Sequence, residues 1–309
     1  MTLTQLKYMI AVAEAGNFTL AADKSFVTQP TLSMQIQKLE DELEVQIFNR
    51  TKKPIRLTKV GSEILIQARK IISESKRMED VVAQEKGFIG GSFSLGIIPT
   101  VMPTLLPMFL NTFLKAYPKV NLKIEELTTE SIIQRLADGK LDAGIAATPL
   151  KHETIIERPL YYEPFVAYVP ENHRLSGSNE INVEDIENEN VLLLEDGHCF
   201  KNQVLSMCTI AKSGRNKQFN LKSGSFETLV NLANEGLGMT LVPFLNALNL
   251  SEKNTKNVIH FPVPSPAREI SIIYPKSQLK LQIIEALKDS ISGVVRGAIA
   301  FDDVQIIAP

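Results

Sequence analysis

The sequence predicts an α/β protein in three parts: a small helical module at the amino end, one long helix, and open α/β sheets through the remainder. Three observations carry this. Apolar residues recur at helical spacing through the first 43 residues, a heptad seam runs from Ile64 to Val82, and strand and helix patterns alternate from Phe93 onward. A chain of 309 residues is too long for one ordinary domain and suggests two or three.

In the first module Leu3, Leu6, Ile10 and Ala13 share one helix face, and Gly16-Asn17 ends that helix. Phe18 to Phe26 makes a short, alanine-rich second helix. Val27-Thr28-Gln29 is a turn, and Pro30 suits the first turn of a third helix, where a missing N–H costs nothing. Leu32, Ile36, Leu39 and Leu43 form its buried stripe, which leaves Thr28, Thr31, Gln35 and Lys38 on the opposite face. Those hydroxyls, amide and ammonium can reach base edges or phosphates in a major groove. Taken alone, the helices are equally a small bundle with a solvated polar face. The residues after the third helix shift the balance. Ile55-Arg56-Leu57 alternates after Pro54 and reads as a two-stranded wing that places Lys52, Lys53 and Arg56 against phosphates. Phe48 to Lys59 holds five basic residues and no acid. Residues 1–88 carry 13 basic and 11 acidic side chains, the remainder 20 and 24. A basic patch on an acidic chain, beside a helix-turn-helix, is the pattern of a modular DNA binder.

Thr58 opens the long helix, which is expected to run to about Lys86 and stop at Gly87. Ile64, Ala68, Ile71, Ser75, Met78 and Val82 are spaced 4, 3, 4, 3, 4, a seam that needs a partner. The partner is either the chain's own surface or a second copy. A second copy is favoured, since two-fold DNA readers use two protomers. Gly87-Phe88-Ile89-Gly90-Gly91 is a hinge by composition. The expected division is therefore 1–58 for DNA, 59–90 for the linker helix and hinge, and 91–309 for a sensing domain.

That last part reads as strands at Phe93–Ile98, Val120–Glu125, Ala143–Ala147, Phe165–Val169, Val191–Leu194, Met239–Val242 and Ile270–Tyr274. Helices fall at Pro103–Tyr117, Ser131–Asp138, Ser225–Asn234 and Gln278–Ser290. Open α/β sheets bind ligands at strand carboxyl ends. Gly236-Leu237-Gly238-Met239 precedes a strand instead of following one, so it is no dinucleotide fingerprint.

Composition excludes several classes. No apolar run reaches the roughly 18 residues of a membrane helix, and Met1 to Lys7 lacks the pattern of a secretory signal. A cytoplasmic protein with no membrane partner is expected. Two cysteines and four scattered histidines make neither a disulfide framework nor a structural zinc site, so no metal and no cofactor are expected.

Ala21-Ala22-Asp23-Lys24-Ser25-Phe26-Val27-Thr28-Gln29-Pro30-Thr31-Leu32-Ser33 through Leu43, then Ile47-Phe48-Asn49-Arg50 and Leu57-Thr58-Lys59-Val60-Gly61, resembles the amino-terminal signature of LysR-type transcriptional regulators. The resemblance implies a winged helix-turn-helix. Its DNA-binding set would be Thr28, Gln29, Pro30, Thr31, Ser33, Gln35 and Lys38 on the recognition helix, with Arg50, Lys52, Lys53 and Arg56 at the wing. Met34 departs from the arginine of many members. The resemblance also implies a periplasmic-binding-protein-like sensor of two subdomains, 91–164 with 267–309 and 165–266, crossed near 163–166 and 265–269.

One segment carries chemistry. Cys199 follows Asp196-Gly197-His198 at a strand end and opens a predicted helix, and Cys208 lies nine positions on. A single cysteine is most often an inert core residue, and that reading suits Cys208 beside Met207. For Cys199, a helix amino terminus and cations such as His198 or Lys201 favour the thiolate. On one regular helix the two would stand roughly 13 Å apart, whereas a disulfide needs Cα atoms within about 7 Å. Leu194-Glu195-Asp196-Gly197-His198-Cys199 and the spacing to Cys208 resemble the peroxide-sensing members of the same family. That resemblance implies that Cys199 is the peroxidatic and Cys208 the resolving cysteine, with Thr100, Thr129, His198 and Arg268 lining the peroxide pocket. Asn202 departs from an aspartate common there. It further implies hydrogen peroxide as signal, reducing dithiol proteins for resetting, contact with RNA polymerase, a dimer of dimers on promoter DNA, and activation of antioxidant genes.

The alternative is a regulator of the same family that binds a small metabolite in the interdomain cleft, its cysteines incidental. A thiol peroxidase is a weaker third reading, since an enzyme has no use for a basic wing. If the wing grips phosphates, Lys52→Ala or Arg56→Ala weakens binding to every duplex sequence and flattens its salt dependence, as read by titration at several ionic strengths.

Overall fold

The computed structural model describes residues 1–85, 89–187, 189–195, 199–207, 223–299 and 304–309. The chain forms two units, Met1–Phe88 and Ile89–Pro309.

The first unit opens with α1 (Leu3–Ala15), α2 (Phe18–Lys24) and α3 (Gln29–Leu43). Each start has a side-chain cap: Thr2 in a capping box with Gln5, Asn17 accepting from Thr19 and Leu20, and Thr28 accepting from Thr31. Leu6, Met9, Val12, Phe18, Leu32, Ile36 and Leu39 fill the core. Leu43 does not join the stripe; it is the last residue of α3 and is exposed. The second helix ends at Lys24, short of the expected Phe26, whose φ of 54° breaks it.

The wing pairs β1 (Phe48–Asn49) with β2 (Arg56–Leu57), Phe48 opposite Leu57. One buried carboxylate ties it to α3. Glu40 accepts hydrogen bonds from the Ile47 and Phe48 N–H groups at 2.8 and 3.1 Å and from Arg50 at 2.7 Å. Long helix α4 (Lys59–Glu85) follows. The Thr58 hydroxyl accepts from the Gly61 N–H at 3.0 Å and donates to the Gln46 carbonyl at 2.7 Å. The heptad seam divides. Ala68 is buried and Ile64 half-buried in the module's own core, so the seam's beginning packs on its own chain. Ile71, Met78 and Val82 are exposed, Met78 by 73%. The predicted stop at Gly87 lies outside the described residues.

The second unit runs β3 (Gly91–Ile97), α5 (Met102–Ala116), β4 (Val120–Glu126), α6 (Thr129–Ala137), β5 (Ala143–Thr148), β6 (Ile155–Tyr168), α7 (Val183–Ile186) and β7 (Val191–Leu192). It continues with α8 (Cys199–Met207), α9 (Phe226–Asn234), β8 (Met239–Pro243), α10 (Phe244–Leu248), α11 (Glu252–Thr255), β9 (Val258–His260), β10 (Ser265–Pro275), α12 (Leu281–Val295) and β11 (Val304–Ile306). Strands are ordered β4-β3-β5-β10-β6-β8-β7, with β9 on β6 and β11 on β10. Two apolar cores flank this path. The first gathers β3, β5 and parts of β6 and β10 with α5 and α12; the second gathers the end of β6 with β8, α8 and α9.

Two strands far exceed their sequence-based bounds. β6 begins ten residues before the expected Phe165 and β10 five before the expected Ile270. Charged and proline residues (Arg158, Pro159, Glu163, Pro164, Pro266, Arg268) interrupt the apolar pattern that marks a strand. Both are nevertheless continuous: β6 pairs with β10 through Pro164 and with β8 from Phe165. β7 is shorter than expected, Val191–Leu192. Gly236-Leu237-Gly238 is a packing turn, with a Cβ at Gly238 falling 2.1 Å from the Asn190 carbonyl oxygen. Among the described residues no helix is long and apolar enough to cross a membrane.

Gly61 sets a sharp requirement on the first unit, because a Cβ there would lie 2.2 Å from the Ile47 carbonyl oxygen. Gly61→Ala should destabilise that unit by about 1–3 kcal/mol, seen as faster amide exchange through α1–α3 with the second unit unchanged.

Candidate functional site

The two long strands deliver the site. β10 places Arg268 opposite Glu163 of β6, both essentially without solvent exposure. A buried guanidinium needs both charge compensation and hydrogen-bond acceptors, and here it has both. Its Nε and Nη2 donate to Glu163 Oε2 at 3.0 and 2.8 Å, while Nη1 donates to the Thr100 hydroxyl at 2.9 Å and Nη2 to the Thr100 carbonyl at 3.0 Å. The second Glu163 oxygen accepts the Leu245 N–H at 3.0 Å, in the first turn of α10. Arg268 also lies over the Phe200 ring, 5.5 Å from its centroid, and Phe200 contacts Phe165 and Phe226.

Phe200 follows Cys199, the first residue of α8. Cys199 packs against the first core while Phe200 is buried in the second, so this free thiol stands where the two cores meet. Thr128 takes the capping role at α6, accepting from Ser131. The buried Thr129 hydroxyl is thereby available to hydrogen-bond the Cys199 thiol. Thr129 and Arg268 thus both act on the Cys199 thiol, and Arg268 is in turn bonded to Thr100. His198 and Cys208 lie outside the described residues.

The thiolate expectation needs correction. Burial dominates and pushes the Cys199 thiol above its ordinary value; Arg268, the Thr129 hydroxyl and the Phe200 N–H pull it down, and Glu130 opposes them. The helix start alone does not decide the protonation state, because desolvation outweighs it.

Glu163, Tyr161, Phe200 and Gln203 escaped sequence reasoning. Glu163 carried one signal: an acid inside the apolar run Tyr161-Tyr162-Glu163-Pro164-Phe165, at the expected crossing. Tyr161 shares its strand face. Its phenol is pushed well above its ordinary value, chiefly by burial, and finds no partner among the described residues. Asn202 is exposed on α8.

In the first unit Thr28, Gln29, Pro30, Thr31 and Lys38 are exposed, and Ser33 and Gln35 half-buried. The Thr28 and Thr31 hydroxyls are 2.8 Å apart. Lys52, Lys53 and Arg56 are exposed on the wing. Arg50 differs from them: it is ion-paired with Glu40 and lies over the Phe18 ring at 5.3 Å. Among the described residues no cluster of metal-ligating side chains exists.

Removing one partner of a buried pair strands the other's charge. Arg268→Met should therefore cost about 3–5 kcal/mol, and adding Glu163→Leu should recover part of that loss in urea unfolding.

Comparison with known proteins agrees with this architecture. Residues 3–62 match the bacterial regulatory helix-turn-helix protein, lysR family, and residues 86–295 match the LysR substrate binding domain. The DNA-binding transcriptional dual regulator OxyR of Escherichia coli K12 is 34% identical over 95% of this chain and 97% of its own. Full-length OxyR C199D from Pseudomonas aeruginosa superimposes with a TM-score of 0.77 at 34% identity, covering 94% of each chain. The H2O2-bound C206S mutant of Corynebacterium glutamicum OxyR gives 0.65 at 27% identity, over 96% of this chain and 93% of its own. With both family domains in order along one chain, and OxyR proteins as relatives over nearly its full length, this protein belongs to the LysR family of transcriptional regulators.

Proposed function

We propose that this regulator senses hydrogen peroxide through Cys199 and Cys208 and activates antioxidant genes. The carrying observation is the thiol at the head of α8, favoured as thiolate by the Thr129 hydroxyl and by the charge of Arg268, which is itself bonded to Thr100. Thr100, Thr129, Arg268 and His198 form the peroxide pocket in this reading. The Cys199 thiolate attacks one peroxide oxygen and the O–O bond breaks. The sulfur becomes a sulfenic acid, and the departing hydroxide takes a proton to become water. Hydroxyl and guanidinium donors stabilise that leaving oxygen. The Cys208 thiol then displaces the sulfenic oxygen as a second water and forms the disulfide. A dithiol protein reduces it, leaving with a disulfide of its own.

The second step remodels α8. Cys199 and Met207 bound one regular helix, so their Cα atoms are about 12 Å apart. The Cys208 Cα is ~3.8 Å from that of Met207. Even turned straight back it stays about 8 Å from Cys199, beyond the ~7 Å limit of a disulfide. Bond formation therefore unwinds part of α8.

On this reading residues 1–58 grip promoter DNA through Thr28, Gln29, Pro30, Thr31, Ser33, Gln35, Lys38, Lys52, Lys53 and Arg56. Arg50, bonded to Glu40, belongs to the same set. Residues 59–90 pair two copies along the exposed part of α4, and 91–309 senses, in a cytoplasmic dimer of dimers that contacts RNA polymerase.

The test is intact mass after stoichiometric peroxide, with footprints on one promoter before and after. The expected result is loss of two hydrogens across Cys199 and Cys208 and a changed footprint. No mass loss returns the metabolite-binding reading. Cys199→Ser abolishes the response and leaves DNA affinity largely intact. Thr129→Val slows the reaction at neutral pH, because it removes a hydrogen bond that favours the thiolate.

A further inference from the structure

The last strand, β11, makes a contact outside the residues of the proposed peroxide pocket. β11 lies parallel to the start of β10, Val304 opposite Ser265 and Ile306 opposite Ala267. The Ile307 N–H donates to the Ala267 carbonyl at 2.8 Å, next to Arg268. The Ile307 carbonyl accepts the Gln203 side-chain amide at 2.7 Å. Gln203 is fully buried, one turn after Cys199 on α8, and its amide oxygen finds no partner among the described residues. The Ile307 side chain packs on the second core. One residue near the end of the chain thus joins the crossover strand to the cysteine-bearing helix.

We propose that β11 is a latch on α8, with Gln203 as the positioning residue that closes it. The proposal rests on the peroxide-sensing reading. The Gln203 bond requires α8 to be helical, because one helical turn fixes where its amide lies relative to Cys199. Unwinding α8 withdraws the amide, and the strand keeps its pairing to β10 and the packing of Ile307 but loses its side-chain bond to α8. By linkage, a strand that binds the helical form alone must also oppose unwinding. The latch therefore slows disulfide closure and leaves the attack on peroxide unaffected, since Cys199 meets Thr129 and Arg268 before any unwinding. The unpartnered amide oxygen keeps the closed form from being over-stabilised.

The experiment follows both steps in the full chain: sulfenic acid by trapping with a dimedone-type nucleophile, and disulfide by loss of two hydrogens. Exchange of the Ile307 amide is read in the reduced and oxidised forms. That amide should exchange at least tenfold faster after oxidation. Gln203→Leu and, separately, deletion of 304–309 should each speed the sulfenic-to-disulfide step about fivefold, the net worth of one hydrogen bond. Formation of sulfenic acid should stay within twofold of the parent. A disulfide that forms with Ile307 equally protected, or two variants that close at the parent rate, overturns the latch alone. A chain that never loses two hydrogens overturns the peroxide reading and the latch with it.

Discussion

A guanidinium with no access to water governs the second unit. Left alone, the Arg268 charge would cost several kcal/mol to bury. Everything near it is arranged to meet that cost: the Glu163 carboxylate, both oxygens of Thr100 and the face of Phe200. Each lies on a different part of the chain. Thr100 follows β3, Glu163 belongs to β6 and Phe200 to α8. Satisfying one side chain thus fixes the relative placement of three segments, and Cys199 is placed as the neighbour of Phe200.

The same arrangement sets a tension at the sulfur. Donors act more strongly on a breaking O–O bond where water is partly excluded, and Cys199 is half-buried. That exclusion also favours the neutral thiol, and burial is the largest influence on Cys199. On the proposed peroxide-sensing reading, reactivity and protonation at rest are set against one another by one feature, and Thr129, Arg268 and the Phe200 N–H hold the balance.

Much of this was legible in the chain. The stripe Leu32–Ile36–Leu39, the basic wing and the alternation after Phe93 follow from periodicity and charge, which local sequence records directly. Thr100, Thr129 and Cys199 stand at element junctions, as their sequence context suggests, whereas Arg268 lies inside β10 and not, as expected, before its strand. Glu163 and the full length of β6 were hidden for one reason: a strand that carries a buried ion pair breaks the apolar pattern by which strands are recognised. The heptad seam was legible as a pattern, but not in its division, since periodicity cannot say that Ala68 finds its partner within its own module. Gln203 gave no sign at all. A glutamine on an amphipathic helix looks like surface until a distant strand is laid against it.

Glu40 has a consequence for how such a regulator can be controlled. Its carboxylate clasps the wing and the Arg50 side chain to the recognition helix, so the two elements that would meet the duplex move as one rigid body. A grip built this way cannot loosen finger by finger. On the proposed reading, in which two such modules hold one duplex, control from afar acts on where they stand along it and is expressed in helical phase instead of strength of hold.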